Sequence, residues 1–210
     1  MKPAIDPTAL PMQVRVAPIG AVDNQQRVIE VCFSTGAVVH RRRWVGWDTL
    51  VPFEEELVVS RDAINLERLE AGAPALDSHS MWSTYSQVGV TERPRIADGK
   101  AFAFIRFPTP ETDEAADRMF GMVDQRIIRN VSVGYSIDEV EVTPAGDGKI
   151  ERHKITRWTP HEISFVTIPA DKGAQVRGAD QLDTYPCRIM RAPAAATAAL
   201  ARMRMRQAQL

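Results

Sequence analysis

The chain has 210 residues, 44% of them hydrophobic and 25% charged, with a formal net charge of -1. That size and apolar content suit one domain with appended segments and a sizeable core. Near-neutrality removes any global pull toward nucleic acid or an anionic membrane, no run of eighteen apolar residues offers a membrane span, and the distant pair Cys32 and Cys187 gives neither a disulfide framework nor a thiolate zinc site, which fits a reducing compartment.

Residues 1–12 carry Pro3, Pro7 and Pro11 and read as an extended arm. Met1–Leu10 has no apolar run of the secretory-signal kind. The main domain is expected over 13–178. It opens on two short β-type runs, Val14–Ala17 and Val28–Phe33, with Asp23-Asn24 as the turn. The basic run Arg41-Arg42-Arg43, flanked by Trp44 and Trp47, admits two readings. One is a patch for an acidic partner or nucleic acid. The other is a solvated edge beside buried tryptophans, and it is favoured because three charges release few counterions.

Phe53–Val59 is expected as a strand, and Asn65, Leu66, Leu69 and Ala71 as a short helix closed by Gly72. Val88–Val90 and Ala101–Phe107 read as strands, with an Asp98-Gly99 turn before the second. Thr109-Pro110-Glu111 has the form of a helix start, and Ala115, Ala116, Met119, Val123 and Ile127 recur as one apolar face, so a helix is expected to near Asn130. A strand over Val131–Val142 follows. Pro144–Gly148 turns the chain, Ile150–Trp158 returns, and His161–Ile168 is the last strong strand, stopped by Pro169. Residues 179–210 change character: from Thr184 onward there is no acidic residue, alanine is frequent, and five arginines (Arg188, Arg191, Arg202, Arg204, Arg206) make it a basic tail or linker. The fold class is therefore mostly β with a few helices (α+β), and many short strands favour a barrel or sandwich.

Three segments could carry chemistry. In Val131-Ser132-Val133-Gly134-Tyr135-Ser136, strand alternation puts the two valines and Tyr135 on one face, and Ser132, Gly134 and Ser136 on the other. Gly134 would let a backbone approach Ser132 closely, but a serine becomes a nucleophile only beside a base. Without one, Ser132 is an ordinary outward-facing strand serine. His79, in Asp77-Ser78-His79-Ser80, is either a general base or a surface histidine in a turn. His40 beside three arginines and His153 between Arg152 and Lys154 receive no role. In the last strand, His161, Ile163 and Phe165 share one face and Glu162, Ser164 and Val166 the other. A regular strand cannot aim both His161 and Glu162 at one site, so either could orient a base. Asp77, His79, His161 and Glu162 are residue types that ligate zinc, but no H-x-H or H-x-x-x-H pair occurs. No metal or cofactor is expected.

Together these segments resemble the prohead proteases of tailed phages. The match is carried by Leu76 to His79, by Ser132 to Tyr135 after a helix, and by Glu162 to Val166 followed by Pro169-Ala170, over about residues 50–178. The family resembles the herpesvirus assemblins in fold, which implies an assemblin-like β-barrel flanked by helices. The resemblance implies a serine endopeptidase with Ser132 as nucleophile, His79 as base and Glu162 as third member, with His161 as the alternative third member. It implies work in the host cytoplasm inside the immature capsid, on scaffold, on capsid-protein extensions and often on the protease itself; the composition shift at Thr184 makes the tail either a self-cleaved region or a linker to a capsid protein. A homodimer is implied by the assemblins; from composition, no membrane and no specific nucleic acid is expected as partner. Two other readings stand beside it: a non-catalytic capsid-assembly or scaffold protein, and a metal-dependent hydrolase.

Overall fold

The computed structural model describes residues 8–11, 13–45, 48–146, 148–167 and 184–191. Trp47, the Pro169–Gly178 stretch and the tail beyond 191 lie outside them. The strands are β1 (Thr8–Pro11), β2 (Gln13–Asp23), β3 (Val28–Ser34), β4 (Val39–Val45), β5 (Thr49–Leu57), β6 (Pro74–Asp77), β7 (Gln87–Ala97), β8 (Lys100–Arg106), β9 (Asn130–Thr143), β10 (Glu151–Val166) and β11 (Thr184–Arg191). The two α-helices are α1 (Glu67–Glu70) and α2 (Glu114–Asp124). The described residues are thus mostly β with two α-helices, as the turn-punctuated sequence led one to expect.

One sheet holds all eleven of these strands, and an additional pairing of β9 with β10 curls it. From β9 the pairing runs through β2, β3, β8, β7, β6 and β10, and β10 then pairs antiparallel with β9, so the circuit closes. Beyond β10 the sheet continues as an arm, with β5 parallel to Glu151–Ile155 and β4 at the end. On the other side of β9, β11 pairs parallel to it, and β1 pairs with β11. Residues 8–11, in the stretch read as an arm, and residues 184–191, in the stretch read as a tail, are therefore strands of the sheet.

The core lies inside the curl. Along β8, Ala101, Ala103 and Ile105 alternate inward, the period of a strand with one buried face. Small inward residues such as Ala75, Ala101 and Ala103 leave volume for Trp158, Phe33 and Tyr135, all fully buried. Trp158 meets Phe33 edge-on at 6.4 Å and Tyr135 at 5.5 Å, and its indole N–H donates to the Val58 carbonyl at 2.9 Å.

Three local expectations need correction. First, α2 starts at Glu114, not near Thr109. The Thr109 and Thr112 hydroxyls bond each other at 3.0 Å, and Asp113 caps the helix by accepting from the Ala116 N–H at 2.7 Å. Second, α2 stops at Asp124. Arg126 takes a positive φ of 58°, Ile127 is left 62% exposed, and Ile128 is the residue that packs inward. The buried face is Ala116, Met119, Phe120 and Val123. Third, the last two strands are one. β10 runs through Pro160, where a register shift between Pro160 and Glu162 places two residues of β10 against one of β9.

Candidate functional site

That bulge builds the site. On its N-terminal side Pro160 stands opposite Tyr135; on its far side Glu162 stands opposite Gly134 and Ser164 opposite Ser132. A regular strand would force His161 and Glu162 to opposite faces. The extra residue lifts that constraint. His161 Nε2 lies 2.9 Å from the Ser136 hydroxyl, and Glu162 faces the Ser132 and Gly134 row. Both therefore reach partners of the same serine-bearing face of β9.

His79 arrives from the loop after β6, which pairs parallel to Ile163–Phe165. Its Nδ1 lies 2.7 Å from Glu162 Oε1. Its backbone N–H donates to Ser164 Oγ at 3.1 Å, and the Ser164 hydroxyl donates to Glu162 Oε2. The neighbouring Ser78 N–H donates to the Phe165 carbonyl at 3.0 Å. Ser78 and His79 both sit in the left-handed region, at φ 53° and 59°. For residues with a Cβ this costs on the order of 1–3 kcal/mol each, and it persists only where surrounding bonds over-determine it. The bonds to Ser164, Phe165 and Glu162 supply that restraint.

Glu162 is 1% exposed, so its carboxylate depends on its two bonded partners, His79 and Ser164. A buried carboxylate bonded to Nδ1 fixes the orientation of an imidazole. Ser132 is also 1% exposed, rather than outward-facing: both faces of this part of β9 are covered. Among the described residues the Ser132 hydroxyl has no hydrogen-bond partner, so no bond joins it to His79 in this structure. His161 is a separate case. Burial holds its pKa below the ordinary histidine value, and the nearby Arg68 charge adds to that, against the opposing pull of Asp138 and Glu162. Arg68 also donates to the His161 carbonyl at 3.2 Å. Asp77 turns its carboxylate to the Ser78 hydroxyl at 2.7 Å, and among the described residues no three His, Cys, Asp or Glu side chains cluster as a metal-binding group.

Sequence reasoning missed Ser164 and Ser136 as members of this network. The available signal was Pro160 inside an alternating run, since a proline in a strand marks an edge or a bulge. It also missed a second buried polar group. Glu55 accepts from the Tyr135 hydroxyl at 2.7 Å and from Arg41 Nε at 2.8 Å, and Arg41 reaches the same hydroxyl at 3.3 Å. Burial works to lower the Arg41 pKa, but Tyr135 and Glu55 outweigh it and raise it.

The chain is 36% identical over 141 residues to a protein named major capsid protein, from Halomonas phage phiHAP-1. It resembles part of a phage capsid protein. The match takes in 67% of this chain and 22% of that protein, so the chain spans under a quarter of the relative's length. No protein-family model matches the sequence, and no solved structure matches the fold. The comparison overturns the serine endopeptidase expectation, because the relative is named as a capsid protein and not as a peptidase. The phage-capsid setting implied by the sequence motifs stands; the hydrolase activity attached to it does not. No helix among the described residues is long and apolar enough to cross a membrane.

Proposed function

We propose that the chain is a non-catalytic module of phage capsid assembly, built on a curled sheet of the prohead-protease and assemblin kind. The observation that carries this is the 36% identity to the phage major capsid protein over two-thirds of the chain. The module's partners are then capsid and scaffold subunits, and its place is the assembling capsid in the host cytoplasm. Within it, His79, Glu162 and Ser164 act as a polar clasp. They tie the loop after β6 to the bulge of β10, a use of buried polar groups that fixes one arrangement of strands over others. Ser132 lies beside this clasp in the β9–β10 pairing and takes no part in it through a hydrogen bond.

The test is particle assembly with the intact capsid protein that carries this module. Ser132→Ala is expected to leave particle yield and the electrophoretic pattern of capsid subunits unchanged. Removal of residues 48–167 is expected to abolish assembly. A folded Ser132→Ala variant that accumulates unprocessed subunits would overturn the reading, and so would normal assembly without the module.

A further inference from the structure

We propose that the free edge of β4 accepts an acidic extended peptide as an added strand. Among the described residues β4 pairs only with β5 and ends the sheet order, so alternate backbone N–H and C=O groups along its other side face outward. The arginine run lies on this strand, and its three members have different surroundings. Arg41 turns inward to Glu55 and Tyr135. Arg43 is held in a two-bond pair with Glu151, at 3.0 Å for each contact. Arg42 stands opposite Pro52, is exposed, and has no acidic neighbour across the pair.

Strand alternation sets His40, Arg42 and Trp44 on the face opposite Arg41. Glu54 stands across from His40 on that face, and among the described residues Arg42, unlike Arg41 and Arg43, forms no ion pair. Trp44 is 53% exposed and the adjacent Val45 42%. The sequence-level picture of a solvated edge is right about the edge, but Trp44 is not buried beside it. An incoming strand that offers a carboxylate opposite Arg42, and an apolar side chain two residues along, would pair the charge and cover the indole at once. A second copy of β4 fits poorly. Arg42 is the middle residue of Val39–Val45, so a two-fold antiparallel pairing would set Arg42 against its own copy. This inference does not rest on the capsid reading.

The probe is an end-blocked octapeptide repeating glutamate-glutamate-valine-valine, which sets a glutamate and a valine two residues apart on each face of an extended strand, titrated into the full chain and followed by backbone NMR shifts and amide exchange. The expected result is a saturable change concentrated at residues 39–45, with slowed exchange there. Arg42→Ala and Trp44→Ala should each weaken binding about tenfold with unchanged thermal melts, since both side chains project from the fold. Equal binding of a lysine–valine peptide would overturn the proposal. So would shifts centred away from β4, no saturation at millimolar peptide, or displacement of the peptide by a single-stranded oligonucleotide. Concentration-dependent dimerisation that Trp44→Ala abolishes would assign the edge to a second copy and overturn it as well.

Discussion

At the scale of single residues, polar groups in this protein divide into satisfied and unsatisfied ones. Ser132 is the clearest of the second kind: a buried hydroxyl with no hydrogen-bond partner among the described residues. Such a group keeps the cost of leaving water without a return, on the order of 1–3 kcal/mol. Ser132→Ala should therefore raise stability by about 1 kcal/mol, read as a shift in the urea midpoint at constant slope. A destabilised variant would show that the hydroxyl is bonded in solution. His161 gives the pH counterpart. Its pKa is held below the ordinary value in the folded chain and returns to about 6.5 on unfolding. Below that pH the unfolded chain binds a proton that the folded chain refuses. Stability is then full above the ordinary histidine value and falls as pH drops toward the lowered native value, where the loss levels off. Denaturation at about pH 7.5 and about pH 5.5 should show a smaller drop for His161→Gln than for the parent chain. The sequence could bring His79, Glu162 and Ser132 to notice by residue type and order. It could not place His161 and Glu162 on one face, because strict alternation forbids it and only the bulge after Pro160 permits it.

At the scale of elements, local rules worked where one signal dominated. The apolar face of α2 followed from helical spacing at Ala116, Met119 and Val123. Its ends did not, because two cap residues competed. Thr109 spends its hydroxyl on Thr112, so Asp113 takes the cap, and the left-handed turn at Arg126 cuts the helix before Ile127. The single long β10 was read as two strands for a related reason: Pro160 is a local stop signal that antiparallel pairing with β9 overrides. Close approach governs β7. A Cβ on Gly89 would lie 2.6 Å from the Arg106 carbonyl oxygen and 3.2 Å from Ile105 Cγ2. Since the obstacle is the backbone of β8, neither side can yield cheaply. Gly89→Ala should cost about 2 kcal/mol, measurable by urea denaturation. A neutral effect would mean that β7 and β8 sit further apart than described.

At the scale of the whole molecule, the closing pairs were not legible. Short strands and turns indicate a β class, but the contact of β9 with β10 along most of their length, and of β11 with β9, joins segments by register that no local pattern encodes. The functional reading turned on the same distinction. The order of the three motifs brought out the phage-capsid setting, whereas the inference from motif to peptidase is overturned by a relative named as a major capsid protein.

The division of β10 has a consequence for how the molecule breathes. Its first part, Glu151–Ile155, carries the arm of β5 and β4, while Ile163–Phe165 holds β6 and the closing circuit. Opening the arm exposes Phe53, Leu57 and the Arg41–Glu55 pair but leaves the circuit's own strand pairings in place. Native-state deuterium exchange should then fall into two tiers. Amides of β4 and β5 should exchange through partial opening, with a denaturant dependence well below the global one, while those of β9 and the second part of β10 should exchange only through complete unfolding.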